Sequence, residues 1–478
     1  MINQKISDIG TTLSRFAIKT RNRIKYRNLS ELINKNFGNA EKLLEYNQSR
    51  VTGPNPCVCF APSRSLYFDI HGKATACCFN RVHILGKYPQ NSIDEIVNGE
   101  KRQFLQNELA RQNFMYGCQH CHKLIESGNF EGVEARQYDT LKHQEFIPSE
   151  IVFELDNVCN LECAMCHEEF SSSIAKAKGL KNIQHPYDKE FLKQLEQYIP
   201  NLKVAKFLGG EPFLINIYYE IWDLIFQYNP NCRINLQTNG TVFNDKVKSY
   251  LAKGNFYIGI SIDSLQKDTY ESIRKNAKFE TVLSNIEEFI KISKKKNNYV
   301  NISVCPMQQN WKELPDLVEF CNKKKVFIYF NTVYTDGFAI SQFEEEKLLE
   351  IVSFYKIAKF GKTGIIGKQN INFFHNLTNQ IESWYNEKAL KALPDKKRHS
   401  YSTEKLKKDL IAKISHNIEA LAVFENIFSQ FDKEFMISDN DLKNLQSTKP
   451  EDIILSIQNE SIDELREKVN RFIETGRF

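Results

Sequence analysis

Long apolar runs are missing from this chain: nothing in its 478 residues approaches the roughly 18–20 that a membrane span needs. The N-terminus likewise lacks the apolar core of a secretory signal, so a cytoplasmic protein without a membrane span is expected. Proline and glycine are scarce, at 13 and 20 residues, which leaves no composition for a long disordered linker. Neither sign of charge dominates, with Lys plus Arg at 64 against Asp plus Glu at 59. The net charge of +5 is ordinary solubility and gives no reason to expect a nucleic-acid partner. At 41% hydrophobic and 26% charged the chain is globular, and its length implies two or three domains.

What is present in excess is cysteine. There are 12, and nine of them lie between Cys57 and Cys166, in pairs or a triplet. Disulfides are not expected in a chain without export signals, so clustering of this kind reads as metal binding. The triplet is Cys159-x3-Cys163-x2-Cys166, directly after the apolar run Ile151–Leu155. Three thiolates on one tight loop fall short of the four ligands of a structural zinc site. They suffice for three irons of a four-iron–four-sulfur (4Fe–4S) cluster and leave the fourth iron free to bind a small molecule.

Residues 1–50 are basic at the start, and Ile9, Leu13 and Phe16 recur at helical spacing. This segment reads as a helix packed on the body, or as a docking surface for an acidic peptide or a membrane surface. Residues 51–147 form a cysteine-rich module. Ser65–Ile70 and Lys73–Ala76 make a hairpin about Gly72, with Cys57 and Cys59 before it and Cys77 and Cys78 after it. A helical stretch from Ser92 to about Gln112 leads to Cys118-x2-Cys121. Two hairpin thiols and the distant pair give four ligands, for zinc or for a closed iron–sulfur cluster, and spacing does not separate the two.

Over residues 148–340 short apolar runs alternate with amphipathic helices. The strands are expected at Ile151–Leu155, Val204–Leu208, Arg233–Gln237, Tyr257–Ile262, Ile302–Val304 and Val326–Asn331. Six β-α units in succession predict an α/β fold, a partial (β/α)6 TIM-type barrel with right-handed crossovers. Chemistry in such folds sits at the C-terminal strand ends. The residues placed there are the cysteine loop, Gly209-Gly210-Glu211-Pro212, Thr238-Asn239, Ser261 with Asp263, and Cys305. Glycines 209 and 210 would let the backbone approach a ligand, Glu211 would receive an ammonium group, and Pro212 would stiffen the turn. Asn239, Ser261 and Asp263 suit a ribose. Cys321 and Cys232 read as packing residues, whereas Cys305 on the rim is a candidate hydrogen-atom donor. Residues 341–478 read as a charged, helical C-terminal region with no legible motif.

The cysteine triplet, the Gly-Gly-Glu-Pro run and the β-α series resemble the radical S-adenosylmethionine (SAM) superfamily, over about residues 148–340. The resemblance implies that SAM chelates the open iron of a 4Fe–4S cluster through its amine and carboxylate. Reductive cleavage then yields a 5′-deoxyadenosyl radical that abstracts a substrate hydrogen. Met165 stands where many members carry an aromatic residue, and its apolar side chain would cover the cluster. Cys59, Gly72-x4-Cys77 and Cys118-x2-Cys121 are similar to the SPASM and twitch modules, which hold an auxiliary 4Fe–4S cluster, here ahead of the barrel. That similarity selects Cys59 over Cys57 and Cys77 over Cys78. It implies a peptide- or protein-modifying enzyme that makes a crosslink, an epimer or an oxidised side chain, with an electron donor such as flavodoxin or ferredoxin. A radical SAM enzyme acting on a small molecule or glycan is the alternative.

Overall fold

The structure, a computed structural model, describes residues 19, 21–22, 25–26, 40–141, 147–181, 183–361, 363–392, 398–402, 407–408, 411 and 434–438. The helix expected on Ile9, Leu13 and Phe16 lies outside the described residues. The chain forms two compact units, Met1–Asn386 and Glu387–Phe478.

The first unit is built on one sheet. Its strands are β1 (Ser65–Phe68), β2 (Lys73–Thr75), β3 (Gly86–Lys87), β4 (Glu150–Phe153), β6 (Val204–Phe207), β7 (Arg233–Thr238), β8 (Phe256–Ser261), β10 (Val300–Val304) and β11 (Phe327–Phe330). A separate two-stranded ribbon joins β5 (Glu162–Cys163) to β9 (Arg274–Lys275). The order across the large sheet is β11-β10-β8-β7-β6-β4-β1-β2-β3. The six strands expected from the sequence are all present, each parallel to its neighbour.

Apolar faces explain why these segments pack as they do. The helix Asn216–Tyr228 buries Ile221, Trp222 and Ile225 on the outer side of the sheet, and the helix Phe279–Lys295 buries Val282, Ile286 and Phe289. Trp222 is fully buried, with Phe207 and Phe256 edge-on to it. Burial of each such side chain is worth about 1.5–3 kcal/mol. The opposite face is more polar, as the alternating burial of β7 shows, and it forms the inside of the partial barrel.

The hairpin of the cysteine-rich module is built into the barrel sheet. Strand β1 pairs in parallel with β4, Ser65 opposite Glu150, and so adds a seventh parallel strand. Gly72 makes the turn to β2 at φ +82°, and a Cβ there would fall 2.2 Å from the Tyr88 carbonyl oxygen. The helical stretch after it is two helices, Ile93–Asn98 and Glu100–Ala110, separated at Gly99. Ser92 and Glu95 form a reciprocal cap at its start.

On the other edge, the helix Ile365–Ala392 reaches β11 through Asn370, whose amide accepts from Ile328 N at 3.0 Å and donates to Val326 O at 2.9 Å. That side chain occupies hydrogen-bonding groups an edge strand would otherwise expose. The second unit adds strands to a region expected to be helical. It contains an antiparallel pair, β12 (Arg398–Ser402) with β13 (Glu434–Ser438).

Candidate active site

The cysteine loop leaves the C-terminal end of β4 and is stitched down on both sides. Cys159 N donates to Ser172 Oγ at 3.0 Å, and Ser173 Oγ donates to Cys159 O at 2.8 Å. Opposite, the ribbon pairs Cys163 with Arg274, and Ala164 N donates to Ile273 O at 2.8 Å. Cys159, Cys163 and Cys166 are each part-exposed and lie close enough to feel one another's charge. Burial pushes all three thiols up, Cys166 to about 12. Thiolate is therefore disfavoured without a metal, and loading one must release protons.

The Gly-Gly-Glu-Pro turn packs on the backbone that leads into the cysteine loop. Gly209 and Gly210 have φ +79° and +24°, and a Cβ on them would fall 2.6 Å from Asp156 O and 2.1 Å from Val158 O. The glycines thus make room for the backbone that leads into the cysteine loop. Glu211 N completes the contact by donating to Val158 O at 2.7 Å.

Glu211, expected to receive an ammonium group, is fully buried. Its Oε1 accepts from Thr238 Oγ1 at 2.7 Å and Phe213 N at 3.2 Å, and its Oε2 from Asn239 N at 2.7 Å. Desolvation nevertheless raises its pKa to about 7, against the pull of those donors. Pro212 opens the short turn Pro212–Leu214 that Glu211 caps. Asn239 Nδ2 donates to Asn160 Oδ1 at 2.9 Å and lies 4.0 Å from Cys159 Sγ, so this amide supports the loop.

Asp263, expected beside a ribose, has both carboxylate oxygens engaged by the protein. It is fully buried, with Oδ2 accepting from Arg274 Nε and Oδ1 from Cys305 N, both at 2.7 Å. Ser261 Oγ is part-buried and accepts from Gln237 Nε2 at 2.9 Å, on the inner face of the barrel. Cys305 and Met165 meet in one small apolar cluster with Ile273, Met307 and Val333. The Cys305 thiol feels the charges of Cys163 and Cys166, and burial pushes it up strongly. Arg274, which sequence reasoning did not single out, has its Nη1 3.8 Å from Cys163 Sγ.

The upstream thiols divide cleanly. Cys59, Cys77, Cys118 and Cys121 line one closed, almost wholly apolar cavity, together with Phe79, His120 and Tyr138. Cys57 and Cys78 are not on it. Cys57 Sγ turns back to Cys59 O at 3.1 Å, and the buried Arg50–Asp139 pair pins the preceding loop through Arg50 Nη1 to Cys57 O at 2.6 Å. Cys78 instead faces the charges of Glu134, Lys206 and Arg81. Among the described residues, no three His, Cys, Asp or Glu side chains form a group that could hold one metal ion. The four sulfurs surround a space instead of meeting at a point.

Residues 154–321 match the radical SAM superfamily, and residues 57–122 match SPASM, an iron–sulfur cluster-binding domain. The chain carries a radical SAM domain with a SPASM domain ahead of it. It is similar to the GTP 3′,8-cyclase of Aliarcobacter butzleri, 26% identical over 174 residues that are 36% of this chain and 51% of that one. It is also similar to the cysteine-type anaerobic sulfatase-maturating enzyme of Clostridium novyi, 30% identical over 141 residues, 27% of this chain and 37% of that one. The chain thus spans about half or less of these curated relatives. Among solved structures, Streptococcus suis SuiB bound to S-adenosylmethionine aligns at 14% identity and a TM-score of 0.35, over 58% of this chain and 64% of that one.

The two domains imply a SAM-binding 4Fe–4S cluster and an auxiliary cluster, and the donor chemistry fits both. Cluster thiolates take N–H donors, and every expected sulfur of the SPASM cavity has one. Ala61 N reaches Cys59 Sγ at 3.3 Å and Asn80 Nδ2 reaches Cys118 Sγ at 3.5 Å. Backbone N–H groups of Phe79 and Asn80 serve Cys77, and those of Glu134 and Ala135 serve Cys121. In the radical SAM loop, backbone N–H groups of Asn160 and Leu161 serve Cys159, that of His167 serves Cys166, and Arg274 serves Cys163. The register also separates the two sites. Cys77 follows Thr75, which pairs with Tyr67, so it lies at the N-terminal end of β1, whereas the triplet lies beyond the C-terminal end of β4. A four-residue strand is about 13 Å long.

Proposed function

We propose that the chain is a radical SAM enzyme that modifies a peptide or protein. The observation that carries this reading is the pairing of a three-thiol loop with a closed four-thiol cavity on one sheet. Cys159, Cys163 and Cys166 would hold the SAM-binding cluster, and Cys59, Cys77, Cys118 and Cys121 the auxiliary one. When bound, the cluster and SAM together supply a 5′-deoxyadenosyl radical that takes a hydrogen atom from the substrate.

The chain's own residues do the positioning. Gly209 and Gly210 fix the distance between the second strand end and the cysteine loop. Glu211 ties Thr238 and Asn239 to that turn, and Asn239 holds Asn160. Arg274 keeps a positive charge beside Cys163, and Asp263 keeps Arg274 in place. Met165 and Cys305 form an apolar wall beside the triplet, where Cys305 stays a thiol able to give up a hydrogen atom. The Clostridium novyi relative is by its name a maturating enzyme for a protein, which supports a polypeptide substrate. The cyclase relatives favour the second reading, a small-molecule substrate.

The test is anaerobic reconstitution with iron and sulfide, followed by SAM and dithionite. Release of 5′-deoxyadenosine is expected, and Cys159→Ala, Cys163→Ala, Cys166→Ala together should abolish it. Persistence of that product in the triple variant would sink the assignment. Peptides encoded beside the gene, and GTP as the small-molecule probe, then separate the two substrate readings by which one gains mass.

A further inference from the structure

At the N-terminal end of β7 the inner face of the barrel carries a cation held in a fixed plane. Arg233, Asn235 and Gln237 alternate with the buried Ile234, Leu236 and Thr238 and so face the interior. Arg233 lies on Tyr257 of β8, its guanidinium carbon 4.0 Å from the ring centroid, and its Nε donates to Asn235 Oδ1 at 2.7 Å. The stacking and that bond orient the fork and leave its two terminal nitrogens facing outward. Arg233 is exposed, and among the described residues it takes part in no ion pair.

The acids around it are engaged elsewhere. Strands β7, β8, β10 and β11 contain no aspartate, no glutamate and no second cation. Across β6, Glu150 stands level with Arg233, but Lys206 Nζ holds it at 3.0 Å and Ser65 Oγ at 3.3 Å. Glu134 faces the same Lys206 and accepts from Gln137 Nε2 at 2.9 Å, while Glu154 pairs with Arg81 at 2.9 Å. On the helix that brings Phe373 against Tyr329, Glu382 pairs with Lys356 at 2.6 Å. The surface near the arginine is aromatic and open. Tyr299, 6.1 Å from Tyr257, is 49% exposed, and Tyr329, which feels the Arg233 charge, is 42% exposed. Gly259 deepens the floor, because a Cβ there would fall 2.2 Å from Gln237 Oε1 and 3.1 Å from Asn301 Nδ2.

We infer that Arg233, carried on Tyr257, anchors a carboxylate of the substrate peptide inside the barrel, from an acidic side chain or from the peptide's C-terminus. The inference rests on the reading that the substrate is a polypeptide. A guanidinium fork takes a carboxylate through two parallel N–H bonds, and a fork already oriented loses little freedom in doing so. One cation among amides and rings balances one carboxylate, whereas a triphosphate would meet no second cation on these strands. The strand also sets a reach. From Arg233 to Thr238 on the rim, β7 spans about 17 Å, which an extended chain covers in about five residues. The anchored carboxylate therefore lies about five residues from the one that reacts beside the cysteine triplet.

The probes are the acetylated, amidated pentapeptide Ala-Ala-Glu-Ala-Ala, its Gln counterpart, acetyl-pentaalanine with a free C-terminal carboxylate, and GTP. Each is titrated onto the full, reconstituted protein at low salt and followed by saturation-transfer NMR. At least one carboxylate peptide should bind five times or more tightly than the Gln peptide, and the tighter of the two identifies the source of the carboxylate. Arg233→Gln should erase that preference, Arg233→Lys should keep part of it, and Tyr257→Leu should weaken it at least twofold with the charge intact. Lys253→Gln, on the helix Asp245–Lys253, should leave it unchanged. Equal binding of the Glu, Gln and free-carboxylate peptides, or a preference that survives Arg233→Gln, overturns the inference. Circular dichroism on each variant separates a lost anchor from a lost fold, and Arg233→Lys with Tyr257→Leu keeps the test open if Arg233→Gln does not fold. Wild type that releases 5′-deoxyadenosine from SAM yet binds no carboxylate peptide defeats the anchor alone. GTP bound more tightly than every peptide, and through Arg233, defeats the polypeptide reading beneath it.

Discussion

A carboxyl group with no exposed surface is costly to ionise, and Glu211 offsets that cost with three donors from two strand ends. Its folded pKa of about 7 lies above the ordinary glutamate value of 4.5. The sign follows from linkage: the folded state holds its proton more tightly, so the associated stability is present below the unfolded pKa and is lost as pH rises through about 7. Between pH 4.5 and pH 8 the wild-type protein should lose on the order of 3 kcal/mol relative to Glu211→Gln. Denaturant titrations of both proteins across that range check it, and parallel curves would refute the shift. Gly210 is the second residue with a sharp expectation. Ala there must adopt φ +24° and push against Val158 O, which would sit 2.1 Å from its Cβ. The strained backbone alone costs about 1–2 kcal/mol. Gly210→Ala should therefore lower the melting temperature and weaken SAM binding, measured by calorimetry and equilibrium dialysis.

At the scale of single elements, the two-residue ribbon of β5 and β9 matters beyond its size. It sets Arg274 against Cys163 and leaves Asp263 to neutralise the guanidinium. Removing the arginine alone would strand a buried carboxylate, at a cost of about 3–5 kcal/mol. Arg274→Gln combined with Asp263→Asn avoids that and removes the positive charge nearest the sulfur. The SAM-binding cluster should then become harder to reduce, a negative shift readable by redox titration. No sequence pattern announces this ribbon, because two residues are too few to show a period. The six barrel strands were legible for the opposite reason: each is a short apolar run followed by an amphipathic helix. The partners of Glu211 and Asp263 were not legible because they come from other strands, and spacing carries no record of which donor reaches which oxygen. The four thiols that the resemblance selects are the ones that line the cavity, and the burial of Arg50 with Asp139, 89 positions apart, explains physically why Cys57 turns away.

For the molecule as a whole, the decisive feature is that the cysteine-rich module and the barrel share one sheet. The sequence showed a hairpin, but a hairpin pattern reads the same whether it stands alone or lends a strand to a neighbour. Strand β1 covers β4 along its whole length, Ser65 to Phe68 against Glu150 to Phe153. A fragment of residues 148–386 would bare that edge together with Leu66 and Phe68's partners in the core. It should be insoluble or lack a cooperative unfolding transition, whereas a protein with Cys59, Cys77, Cys118 and Cys121 all changed to alanine should stay folded. Circular dichroism and gel filtration of the two distinguish a lost strand from a lost cluster, and a well-folded fragment would contradict the shared sheet.

The same strand pairing has a consequence for how the protein is made. Ser65 meets Glu150 across 85 positions of chain, so the ribosome releases β1 long before its parallel partner exists. Until then the nascent hairpin offers β2 on one side and an unpaired edge on the other. Parallel pairings of such long sequence separation close slowly. Cys59 emerges just before β1, and Cys77, Cys118 and Cys121 emerge in that interval, all ahead of Cys159. The four thiols of the cavity are therefore all synthesised on a half-built sheet, and the three-cysteine loop follows only once β4 exists.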